Sequence, residues 1–161
     1  MTEPFVPSDY TVPTVLECEC FRLRTLTVND LVKDYDAVMA SREHLLGVFG
    51  PNSDWPQEDL TLEQDLIDLG WHQKEFQLRS SFAYTMVSLD ESRVLGCVYI
   101  FPTSKSGFDA NITMWVRSDV LSKGFDERLF QEVSDWIAAD WPFKNPGYPG
   151  RSITWEDWLA L

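Results

Sequence analysis

The sequence predicts an α+β domain with a mixed, mostly antiparallel sheet flanked by helices. Three observations carry this reading. The apolar pattern runs in the order strand, helix, helix, three strands, helix, tail. Two of the strands are joined by a turn too short for anything but a hairpin. Three amphipathic helices provide the apolar stripes that cover a sheet.

Residues 1–20 read as an N-terminal arm and residues 21–161 as a single domain with a short tail. Phe21-Arg22-Leu23-Arg24-Thr25-Leu26 alternates apolar and polar, as a half-buried strand does. Thr27 with Asp30 forms a capping box, and Leu26 and Leu31 sit at staple positions. The helix they open places Val28, Leu31, Val32, Tyr35, Val38 and Met39 on one face. Residues 47–58 carry turn chemistry throughout. Thr61 and Gln64 begin a second helix, on which Leu62, Leu66, Leu69 and Phe76 share a face. The carboxylates Glu63, Asp65, Asp68 and Glu75 then fall on a solvated side.

Phe82 to Leu89 and Arg93 to Phe101 form the hairpin around Asp90-Glu91-Ser92. The run Val94 to Phe101 is almost wholly apolar, which marks a central strand covered on both faces. Asp109 to Arg117 is the next strand. A third helix spans about Asp126 to Trp141 and is stopped by Pro142. The tail is dense in breakers, with Thr154 and Asp157 able to cap a last short turn.

The chain has 161 residues, and 13 Lys and Arg face 26 Asp and Glu, a net charge of −13. That surface repels phosphate backbones and anionic lipid, so neither nucleic acid nor membrane is an expected partner. A hydrophobic content of 44% with 7 Trp supports a real core and excludes wholesale disorder. The polar, proline-rich start lacks the pattern of a secretory signal, which suggests the cytoplasm. The 3 Cys residues (Cys18, Cys20, Cys97) read as incidental or buried thiols, because His44 and His72 stand too far apart to complete a metal site. No nucleophile elbow, phosphate-binding GxxxxGK[ST] loop or zinc-protease helix is present.

The order of elements resembles the GNAT superfamily of acyl-CoA-dependent N-acyltransferases. Phe21 to Asp30 is similar to their opening strand and helix, and Arg93 to Ile100 to their third strand. Trp115-Val116-Arg117 resembles the end of their fourth strand, which leads into the loop that cradles the CoA pyrophosphate. The resemblance implies acetyl transfer to a small-molecule or peptide amine, with acetyl-CoA as cosubstrate and no metal. It places the cofactor against Met114, Trp115, Val116, Lys123 and Gly124, and offers Asp109 as the catalytic carboxylate.

The loop itself departs from the family's Gln/Arg-x-x-Gly-x-Gly/Ala pattern. Leu121-Ser122-Lys123-Gly124-Phe125-Asp126 keeps only Gly124, and the Asp126 carboxylate would repel a phosphate there. The family's closing strands and helix would also need more than the final twenty residues. A degenerate member that binds a ligand or protein without acyl transfer is therefore the alternative expectation. The absent strands would leave an edge for a homodimer to cover through Trp155 and Trp158.

Overall fold

A computed structural model describes residues 3–161. Its sheet is built from β1 (Val15–Glu17), β2 (Arg22–Thr25), β3 (Phe82–Val87), β4 (Val94–Phe101), β5 (Ala110–Val116) and β6 (Pro146–Gly147), in that spatial order. All neighbours are antiparallel except β5 and β6, which pair in parallel. The segment read as an arm contributes β1, and Val6 within it is buried against β3 and β4 residues.

One face of the sheet carries Leu23, Tyr84, Met86, Ile100, Ile112 and Met114. It is covered by α4 (Phe125–Asp140), which buries Leu129, Val133, Trp136 and Ile137. The opposite face carries Ala83, Cys97, Tyr99 and Trp115. It lies under α1 (Leu31–Ala40), α2 (Arg42–Leu45) and α3 (Leu62–Leu78). Period-two alternation sends each strand's side chains to both cores, so β3 and β4 read as unbroken apolar runs.

Local chemistry sets the helix starts. Thr27 and Asp30 form the capping box, which holds a 3-10 turn (Val28–Asp30) ahead of α1. Thr61 accepts from the Gln64 backbone N–H at 3.1 Å and opens α3. Gly96 lies where β4 and β5 approach most closely, and a Cβ there would land on the Trp115 carbonyl oxygen.

α3 faces the sheet differently from the sequence expectation. Leu62 and Leu66 are 44% and 40% exposed, while Asp65 is buried beside Leu69. Asp65, Leu69, His72 and Phe76 follow the i, i+4, i+7, i+11 row of a helix, and this row faces inward. Asp65 is therefore not on a solvated side.

The tail packs on its own chain. Thr154 caps α5 (Trp155–Leu159), and Trp158, only 3% exposed, fills the space beside Gly147 and Phe108. The edge of the sheet thus receives a ring from within the same molecule.

Candidate functional site

A cavity of about 520 Å³ lies between α1, α3 and the face of β4. Asp34 enters it from α1, Asp65, Asp68 and His72 from α3, and Tyr99 and Phe101 from β4. The loop between α2 and α3 adds Phe49 and Trp55. Asp34 and Asp65 are each 3% exposed, and their carboxyl groups are hydrogen-bonded to one another. Asp34 Oδ1 also accepts from the Cys97 thiol at 3.6 Å.

Burial, and then the neighbouring Asp65 charge, push the Asp34 carboxyl well above the usual carboxylate range. Burial raises Asp65 too, although the hydrogen bond from Asp34 draws it back. With both groups ionised, Asp65 Oδ2 would have no donor at all. One proton held between the two supplies that bond and removes half of the buried charge. The pair therefore presents a single negative charge that can take up or release a proton.

The His72 ring lies tilted against Tyr99, 5.2 Å between centroids, and burial lowers its pKa, so it stands neutral near pH 7. Its Nδ1 has no partner within the protein. The Tyr99 hydroxyl accepts from Trp115 Nε1 at 3.0 Å, and burial holds the phenol well above its ordinary value.

Trp115 belongs to the wall of a second cavity, of about 360 Å³. β5 and β6 share only the pairs Ala110–Pro146 and Asn111–Gly147 before they part. Thr113 and Trp115, Leu46 to Val48, and Gly150, Arg151 and Trp155 line the space that opens. Val48 faces this cavity and Phe49 the other, so the two adjoin across the loop and the Trp55–Trp115 ring contact at 6.1 Å. The Thr113 hydroxyl is buried here without a partner. Arg151 donates to both oxygens of Asp126, at 2.8 and 3.0 Å, and to the Met114 carbonyl at 3.3 Å.

No protein-family model matches the chain, and no curated protein matches it in sequence. Solved structures do match it in shape. The ribosomal-protein-S5-alanine acetyltransferase of Vibrio fischeri superposes with a TM-score of 0.61 at 20% identity, over 78% of this chain and 67% of that one. RimL, the ribosomal L7/L12 alpha-N-protein acetyltransferase, in complex with coenzyme A, gives 0.63 at 14% identity, over 77% and 67%. The microcin C7 self-immunity acetyltransferase MccE, in complex with acetyl-CoA and AMP, gives 0.57 at 10%, over 78% and 67%. The fold is that of the GNAT superfamily. The chain spans about two-thirds of the length of these neighbours.

The resemblance put the cofactor against five residues, and the lining of the second cavity includes two of them. Met114 and Trp115 line it, while Val116 is buried beneath α4 and in contact with neither cavity. Lys123 ends a 3-10 turn (Ser118–Lys123), and Gly124, at a φ of +72°, opens α4. The residues suit the arm of an acyl-CoA in one respect: the Thr113 hydroxyl is a buried polar group that lacks a partner. Asp126 occupies the first turn of α4 and lines the second cavity, and Arg151 from the tail compensates its charge.

Asp109 lies elsewhere. Its two oxygens accept the backbone N–H groups of Lys144 and Asn145 at 2.6 and 3.0 Å, and it lines neither cavity. Tyr148 is buried edge-on against Phe130, with its phenol pushed up to about 12 by burial. Sequence reasoning missed Asp34 and Arg151 and placed Asp65 in solvent. The i, i+4, i+7, i+11 row through Asp65 was a usable signal; for Asp34 and Arg151 the sequence holds none. Among the described residues no three His, Cys, Asp or Glu side chains are grouped to hold a metal.

Proposed function

We propose that the protein transfers an acyl group, acetyl in the simplest case, from coenzyme A to an amine bound in the first cavity. The observation that carries this is the buried Asp34–Asp65 pair, which shares the first cavity with Tyr99, whose hydroxyl accepts from Trp115 in the wall of the second cavity. The amine nitrogen attacks the thioester carbon, the C–S bond breaks, and the CoA thiolate leaves. An acceptor that enters as an ammonium first gives one proton through the carboxyl pair to water, and the proton its nitrogen loses on acylation goes to the pair and on to the thiolate. His72, neutral and without a partner on Nδ1, is a second acceptor in the same cavity. Thr113 would hold the acyl-CoA arm, and Arg151 with Lys123 its phosphates.

The test is release of free CoA thiol from acetyl-CoA in the presence of a panel of small amines and N-terminal peptides. Amine-dependent release, reduced at least tenfold by Asp65→Asn, is the expected result. A second reading, a protein that binds its ligand without transfer, draws on one observation: Asp126 holds Arg151 across the phosphate end. It predicts ligand binding with no thiol released by any amine.

A further inference from the structure

We infer that the first cavity selects a cationic amine carried on a flat aromatic body. The inference rests on the reading of this cavity as the acceptor site and names the class of acceptor. Four carboxyl side chains line it, Asp34, Asp65, Asp68 and Glu75, and no Lys or Arg does. Among the described residues none of the four is in an ion pair, although nine such contacts exist elsewhere in the molecule. Their donors are weak or neutral: the Cys97 thiol for Asp34, the Gln64 amide for Asp68, the Ser81 hydroxyl for Glu75. Asp65 Oδ2, in a side chain 97% removed from solvent, has no donor from outside the pair. A buried carboxylate without a counter-charge is costly, and a ligand cation is what would relieve that cost.

The apolar lining defines the rest of the ligand. Tyr99 and Phe101 lie nearly parallel, 4° apart in plane and 6.0 Å between centroids, and together form a flat wall. Phe49 meets Tyr99 edge-on at 5.3 Å, which closes the inner end. Trp71 stands 64% exposed at the margin of the same cavity, a large ring with little packed on it. Aromatic faces around a cation stabilise it further, and flat walls favour a flat body. The volume of about 520 Å³ is within the range of small-molecule sites. Phosphates and carboxylic acids are excluded by the carboxylate charges.

Titration of the full chain with three indoles of one shape tests this, read by tryptophan-independent calorimetry. Tryptamine carries an ammonium, tryptophol a hydroxyl and indole-3-acetate a carboxylate. Tryptamine should bind at least tenfold more tightly than tryptophol, and indole-3-acetate should not bind. Asp65→Asn should bring tryptamine down to the tryptophol level while tryptophol binding stays within twofold. Trp71→Ala, at an exposed position that leaves folding intact, should weaken both. Equal binding of tryptamine and tryptophol overturns the inference, as does tryptamine binding that neither variant alters. Thiol release from acetyl-CoA, followed in parallel, separates the two proposals. Tryptamine binding without release removes the transferase reading and keeps this one. Release with an amine whose KM is unmoved by Asp65→Asn removes this one and keeps transfer.

Discussion

Asp126 and Arg151 hold one another at the end of the second cavity where the proposed function puts the phosphates, each partly exposed. From sequence, Asp126 alone is a charge that repels pyrophosphate. With Arg151 beside it the local charge is close to neutral, and Arg151 is the cation that Leu121 does not provide. Asp126→Asn should release the guanidinium and tighten acetyl-CoA binding about fivefold, on a gain of roughly 1 kcal/mol. Arg151→Ala should weaken it by a similar factor. Calorimetric titration of both variants decides, and the two must move in opposite directions. The Asp34–Asp65 pair makes a pH prediction. Its carboxyls are raised above the ordinary value of 3.8, so above that value the native state holds protons the unfolded chain has lost. Stability from this source is full below 3.8 and declines as pH rises through the raised values, by at most about 1.4 kcal/mol per pH unit for one proton. Asp34→Asn should therefore be less stable or equal at pH 4 and gain on the wild type towards pH 8, in urea midpoints across that range. His72 acts in the opposite sense up to 6.5, because its pKa is lowered.

Among the elements, two junctions differ in kind. The capping box at Thr27 satisfies N–H groups at the entry to α1, so Thr27→Ala should cost about 1 kcal/mol. Gly96 is a steric requirement. Its missing Cβ leaves room for the Trp115 carbonyl, which is backbone and cannot rotate away. Gly96→Ala should cost about 3 kcal/mol or prevent folding, because β4 and β5 must separate and take the Tyr99–Trp115 hydrogen bond with them. Chemical denaturation ranks the two. α3 shows how a helix can carry two plausible faces. Leu62 and Leu66 invited one orientation, but Asp65 and His72 occupy the inward row, where Asp65 meets Asp34 and His72 lies against the Tyr99 ring.

Over the whole molecule, the tail does what further strands would otherwise do at the β6 edge. Trp158 closes against Phe108 and Gly147, and Trp155 from the same helix lines the second cavity. Trp158→Ala should lower stability by about 3–5 kcal/mol, measured by thermal unfolding, and also weaken acetyl-CoA binding because α5 loses its anchor. Unchanged affinity in a folded Trp158→Ala protein would show that α5 takes no part in the second cavity.

The sequence alone determined the order of the main elements, the caps at Thr27, Thr61 and Thr154 and the hairpin, because these depend on residues within a few positions of one another. It also supported the GNAT resemblance through Phe21 to Asp30 and Arg93 to Arg117. It could not assign Asp34, Asp65 and Tyr99 to one cavity, since their meeting depends on how α1 and α3 rotate and cross β4. Nor could it show that Arg151 reaches Asp126 or that β1 and α5 complete the sheet's two ends. A carboxylate on a helix has the same local pattern whether it faces water or a buried partner. Only packing removes the water, and with the water gone the two aspartates must share a proton.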